Sequence, residues 1–228
     1  MGRAQKLKQQ RKEEEARRRQ EKKKETWRRV IIVVASLLTA AATVGLVLLV
    51  NALKKEEAGP KVTAKLVLET SQGQIVIGLY GEETPLTVEH VSNLVNQGFY
   101  DDLRWYRVED FVVQTGSHYQ SLVAESEGAE PDQTMVQDAI TRDQGVGTVL
   151  DEVKLSNLRG AVGMAKPNDP QTQQPQANSA TTDFYILKRD STGLDPYFTV
   201  FGRVLEGMEV VDSLQTTDVL VSARSQGT

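Results

Sequence analysis

The chain has 228 residues, of which 25% are charged, with no cysteine and a formal net charge of −4. The missing cysteines exclude a disulfide framework, a thiol nucleophile and a cysteine metal site. Charge is unevenly placed: residues 1–29 hold thirteen Lys/Arg against five Asp/Glu, a net of +8, so residues 30–228 sum to −12.

The basic segment has almost nothing apolar to bury, so it reads as a solvated arm with a capacity for anionic lipid headgroups. Its interleaved glutamates and single aromatic, Trp27, argue against nucleic acid as a partner. Residues 30–50, VIIVVASLLTAAATVGLVLLV, carry no charge over 21 positions. At 1.5 Å per residue such a helix spans the roughly 30 Å hydrocarbon core of a bilayer. The expectation is a single transmembrane helix, with the basic side cytoplasmic and the remainder extracytoplasmic. A cleaved signal peptide is the alternative, although the apolar run exceeds the usual signal length.

Residues 51–63, polar with Gly59 and Pro60, read as a linker, and residues 64–217 as one domain before a polar tail at 218–228. AKLVLETSQGQIVIGLY has two β-rich runs around Ser71–Gly73, a hairpin signal. Thr84 followed by Pro85 marks a helix start, Val88, Val91, Leu94 and Val95 share one helical face, and Gly98 suits the stop. RWYRVEDFVVQTG supplies strand character, and a long polar connection from Ser117 to Asp151 follows. Strands return at GAVGMA, DFYILK and YFTVFGRVL, and GMEVVDSLQ is helical through Met208, Val211 and Leu214. The fold class expected is mainly β, a closed antiparallel β-barrel capped by two α-helices.

Common catalytic constellations are missing. His90 and His118 have no companion at metal-ligand spacing and read as solvated. There is no phosphate loop or dinucleotide fingerprint, and no cofactor is implied. By itself, Arg107 reads as a surface charge.

Four blocks taken together change that reading. GQIVIGLYGEETPLTVEHVSNLVNQGFYDDLRWYRVEDFVVQTG, RGAVGMA, NSATTDFYI and LDPYFTVFGRVLEGMEVVDSL occur in the order in which they resemble the cyclophilins, the peptidyl-prolyl cis/trans isomerases. The resemblance covers nearly all of residues 64–217. It implies that Arg107 is the catalytic arginine, with Gln114 beside it, and that Phe111, Val112, Tyr185, Leu194 and Phe198 line a proline pocket. Ala165 and Lys166 fall where main-chain groups meet the bound peptide, and Asp183 stands where a substrate-contacting glutamine is frequent. Phe184 and Phe201 are expected to point into the core.

Departures from the pattern surround the arginine. Phe-His-Arg becomes Trp105, Tyr106, Arg107, and the segment from Arg107 to Phe111 is one residue shorter than the common spacing. Gly193 replaces the tryptophan of cyclosporin-sensitive members, which implies weak inhibition by that drug. Asp183 facing Arg107 would either orient the guanidinium or occupy its donors. The implied function is an isomerase acting on proline-containing unfolded or exported polypeptides, in a cell envelope or thylakoid lumen. The alternative is a catalytically weak peptide-binding or assembly module.

Overall fold

The computed structural model describes residues 17–19, 22–28, 34, 41–46, 48–49, 59–126 and 128–227. Two compact units divide at Gly59 and Pro60. In the first, all described residues before Gly59 are helical and exposed. No helix among the described residues is long and apolar enough to cross a membrane. Much of the expected span at 30–50 lies outside those residues, which include only Val34, 41–46 and 48–49 of it.

The described residues of the second unit form nine strands: β1 (Ala64–Thr70), β2 (Gly73–Leu79), β3 (Leu103–Arg104), β4 (Arg107–Val108), β5 (Val112–Thr115), β6 (Ala161–Met164), β7 (Phe184–Leu187), β8 (Val200–Glu206) and β9 (Val219–Gly227). They form one antiparallel sheet in the order β3-β9-β1-β2-β8-β6-β7-β5-β4. The barrel is therefore open rather than closed as expected. Its edge strands β3 and β4 are joined by Trp105 and Tyr106 along the chain, not by a ladder of hydrogen bonds. Trp105 continues the β3 edge by donating its N–H to the Asp218 carbonyl.

Among the described residues four α-helices accompany this sheet, rather than two: α1 (Pro85–Asn96), α2 (His118–Glu125), α3 (Gln133–Gln144) and α4 (Met208–Ser213). The supposed connection from Ser117 to Asp151 holds α2 and α3. Ser117 caps α2 by accepting from the Gln120 N–H, and Asp132 caps α3 by accepting from the N–H groups of Thr134 and Met135. The expected polar tail is also corrected, since residues 219–227 are β9, paired to both β1 and β3.

α1 begins at Pro85 as expected and buries Thr87, Val91, Leu94 and Val95, with Val88 partly buried. Its start is not capped by Thr84, whose hydroxyl donates to the Tyr80 carbonyl. Glu152 supplies the acceptor instead, taking the Thr87 N–H and hydroxyl, both at 2.9 Å. A buried carboxylate at a helix N-terminus satisfies free N–H groups and complements the helix dipole.

The main core lies between the sheet and α1, with Trp105, Tyr100, Phe184 and Phe201 fully buried. A second, smaller apolar cluster contains Val112, Ala161, Ala165, Tyr185, Leu187 and Val200. Side chains alternate along a strand, so β5 and β7 contribute to both clusters. Val113, Phe184 and Ile186 join the first, whereas Val112, Tyr185 and Leu187 join the second.

Candidate active site

Strand register assembles the site. Arg107 pairs with Gln114, Gln114 with Tyr185, and Tyr185 with Gly163, so these four residues form a row across β4, β5, β7 and β6. Gly163 must be a glycine for that row to lie flat, because an added Cβ would collide with the Tyr185 ring.

Beside the row is a cleft of about 440 Å³. Phe111, Val112, Tyr185, Leu194 and Phe198 give it apolar walls, and Arg107, Gln114, Ala165 and Lys166 line it as well. Nine of the ten site residues named from the sequence thus meet in one place. Asp183 is the tenth, and it lines an adjoining cleft of about 470 Å³ with Tyr106, Arg107, Gln114 and Lys166. Phe184 and Phe201 are core residues, as expected.

Arg107 is exposed but held on three sides. Its Nε donates to Glu109 Oε1 at 2.7 Å, and its Nη1 to Gln114 Oε1 at 3.2 Å. The guanidinium carbon stands 5.6 Å from the centroid of the Phe111 ring, within cation–π range. Nη2 takes part in neither hydrogen bond. The Glu109 carboxyl is held below its ordinary range by its hydrogen bond to Arg107.

Asp183 does not face Arg107. Tyr106 lies between, donating its hydroxyl to Asp183 Oδ1 at 2.7 Å and accepting from Gln114 Nε2 at 2.6 Å. Burial pushes the Asp183 carboxyl up to about 6, with the Tyr106 hydrogen bond opposing and the Asp143 charge adding to the rise. Burial followed by the Asp183 charge likewise raises the Tyr106 phenol.

Tyr185 carries its hydroxyl into the second apolar cluster, and a buried hydroxyl needs a partner. It donates to Asn157 Oδ1 at 2.5 Å. Asn157 is fully buried and is held in turn by Asp195 Oδ1, which accepts its backbone N–H at 2.6 Å and its Nδ2 at 3.1 Å. Lys166 has a side chain only 3% exposed, paired with Asp151 Oδ2 at 2.6 Å. Its ammonium lies 5.7 Å from the Phe198 ring centroid. The Ala165 N–H is engaged within the sheet region, donating to the Asp183 carbonyl.

Sequence reading did not single out Tyr106 as a connector, Asn157 as a tether, or Asn168, Gln173 and Pro175 as cleft walls. The last three sit on a polar segment where an isolated bridge pairs Asn168 with Pro175. Nor are the histidines freely solvated: His90 Nε2 contacts the Thr181 carbonyl at 2.5 Å, and His118 pairs with Asp143 while only 13% exposed.

An open antiparallel half-barrel with an arginine at the rim of an apolar cleft defines a class known from relatives. Residues 65–226 match the cyclophilin type peptidyl-prolyl cis-trans isomerase/CLD family. A peptidyl-prolyl cis-trans isomerase of Arabidopsis thaliana is 30% identical over 154 residues, which is 67% of this chain and 61% of that protein. One from Streptomyces antibioticus is 32% identical over 157 residues, 65% of this chain and 81% of that protein. The solved cyclophilin AquaCyp293 from Hirschia baltica shares the fold at TM-score 0.53 and 22% identity, covering 72% of this chain and 74% of that one. The chain belongs to the cyclophilin-type peptidyl-prolyl cis-trans isomerases, and its enzyme class is that of the family.

Proposed function

We propose that the cleft rotates X-Pro bonds in unfolded or newly exported polypeptides outside the cytoplasm, with Arg107 stabilising the twisted amide. The observation that carries this reading is a guanidinium fixed at the rim of an apolar cleft by Gln114 and Phe111. Amide resonance sets a barrier of roughly 18–20 kcal/mol, and unaided isomerisation takes tens to hundreds of seconds. When the bond twists, the proline nitrogen regains a lone pair. A donor that binds this lone pair better than the planar amide lowers the barrier selectively. Val112, Tyr185, Leu194 and Phe198 hold the pyrrolidine ring, and Gln114 restrains the arginine.

Location follows from the same reading. Residues 30–50 serve as an uncleaved anchor, residues 1–29 face anionic lipid on the cytoplasmic side, and the cyclophilin domain works in an envelope space or thylakoid lumen. The uncharged run and the basic tail support this. So does a putative thylakoid lumen peptidyl-prolyl cis-trans isomerase of Synechocystis, 28% identical over 192 residues that cover 72% of this chain and 47% of that protein.

The test is the cis-to-trans rate of an Ala-Ala-Pro-Phe peptide with the full chain in mild detergent. Arg107→Ala is expected to lower kcat/KM by about 100-fold, the scale of losing a preorganised donor, while its melting temperature stays that of the wild type. Equal rates in both proteins would remove Arg107 from the mechanism. A folded wild type that binds the peptide without accelerating it would favour the binding module. A C-terminal alkaline phosphatase fusion that stays inactive would overturn the extracytoplasmic placement.

A further inference from the structure

The polar residues beside the cleft form a hydrogen-bonded chain with a fixed direction. A guanidinium only donates and an ionised carboxylate only accepts. Between Arg107 at one end and Asp183 at the other lie the Gln114 amide and the Tyr106 hydroxyl. Arg107 Nη1 donates to Gln114 Oε1, Gln114 Nε2 donates to Tyr106 Oη, and Tyr106 donates to Asp183 Oδ1, at 3.2, 2.6 and 2.7 Å. Each link has one permitted sense, so both ends dictate which way the Gln114 amide is turned.

We propose that Asp183 is a positioning residue for the isomerase: through Tyr106 it fixes the Gln114 amide with Oε1 toward Arg107, and its protonation releases that hold. This role rests on the reading of Arg107 given above. A neutral carboxylic acid gains a donor. Once that donor points at Tyr106, the phenol hydrogen turns toward Gln114 and meets the Nε2 donor. The amide then flips, sets Nε2 against the donor-only guanidinium, and the arginine loses its rest.

Several ionisable groups face Asp183. Tyr106 comes from the β3–β4 connection, and Tyr100, following α1, donates to the neighbouring Thr182 carbonyl at 3.0 Å. Asp143 at the end of α3 adds a like charge and is itself paired with His118. Arg107 and Lys166 line the adjoining cleft with it. Burial outweighs the Tyr106 hydrogen bond, placing the carboxyl at about 6. The working ionised form is therefore populated above that pH and lost as the pH falls through it.

Activity of the full chain is measured by NMR exchange on the same peptide between pH 5 and 8, alongside the Arg107 Nε–H resonance. The wild type is expected to lose about five- to tenfold in kcat/KM by pH 5, in kcat more than in KM, the scale of one weakened charge-assisted hydrogen bond. Asp183→Asn carries an acceptor and a donor at every pH, as the neutral acid does, and is expected to be pH-independent over that range, between the wild-type levels at pH 5 and 8. Asp183→Leu removes the acceptor, is expected to fall about tenfold at pH 7.5, and is partly rescued by the asparagine.

The Arg107 resonance should titrate near pH 6 in the wild type and stay constant in Asp183→Asn. A wild-type profile flat from pH 5 to 8 with a constant Arg107 resonance overturns the proposal, as does a limb near pH 6 that survives in Asp183→Asn. No turnover at any pH, together with a titrating Arg107 resonance that vanishes in Asp183→Asn, would defeat the isomerase reading and support the relay.

Discussion

Adjacent residues on β7 live in two different settings. Phe184 faces the interior, 1% exposed and edge-to-face with Tyr100 at 5.3 Å and Trp105 at 6.1 Å. Tyr185, one residue on, faces the cleft, where its hydroxyl is tethered to Asn157. The inner face asks only for apolar volume that fits. The outer face requires particular donors and acceptors in a particular register, since Tyr185, Gln114 and Arg107 are cross-strand partners. Stability should therefore follow inner-face substitutions, and turnover outer-face ones.

The largest effect expected is on the inner face. Phe184→Ala should cost about 3–5 kcal/mol through lost burial and the cavity left behind, read as a lower midpoint in urea. Activity per folded molecule should stay within a small factor of the wild type. A drop comparable to that of Arg107→Ala with little loss of stability would erase the distinction between the two faces.

The same contrast explains what the sequence disclosed. Inner-face residues announce themselves as parts of short apolar runs: Val113, Phe184 and Ile186 sit among strand-forming neighbours, and two of the motif blocks carry the outer row of Arg107, Gln114 and Tyr185. α2 and α3 are hidden because they bury little more than Ser121 and Ala139, so no apolar stripe marks them. β9 reads as polar because Leu220 and Ala223 are buried in it while Val221, Arg224, Ser225 and Gln226 stay exposed. The link from Asp183 to Arg107 runs through Tyr106, 77 positions away from Asp183, and Gln114, and only the strand register brings them together.

Asp183 sharpens the comparison because it serves the outer face at a cost to the fold. Its carboxyl is raised from 3.8 to about 6 in the folded state. Between those values the folded chain holds more protons than the unfolded one, so this group's contribution to stability is fully present below about pH 4 and lost as the pH rises through 6. At about 1.4 kcal/mol per unit, the penalty at pH 7.5 is roughly 3 kcal/mol as an upper bound. Asp183→Asn should therefore melt higher than the wild type at pH 7.5, by a margin that closes toward pH 4. A margin independent of pH would mean that the ionised carboxylate is not the source of the penalty.

A smaller effect is expected at the cleft wall. Leu194 is half-buried beside Phe198 and Tyr185, so under the proposed function Leu194→Ala would remove apolar contact with a proline ring but no donor. KM should rise about fivefold with kcat nearly unchanged, the signature of losing uniform binding. A fall in kcat alone would mean that the wall shapes the twisted state, drawing it closer in role to Arg107.

The smallest effect separates the two arms that hold Arg107. Glu109 grips Nε at 2.7 Å, a shorter contact than Gln114 makes, and distance alone would rank it first. Yet both partners of the pair are over 40% exposed, and such pairs contribute about 0–1 kcal/mol because water and salt compete for them. Gln114 is half-buried and tied on its far side to Tyr106 and Asp183, so its hold is backed by groups that cannot easily turn away. Glu109→Ala should therefore leave kcat/KM within about twofold of the wild type, whereas Gln114→Ala should cost about tenfold. The reverse order in peptide kinetics at 0.15 M salt would make the shortened Arg107–Phe111 segment the device that aims the arginine. The buried chain through Asp183 would then be a stabilising bystander.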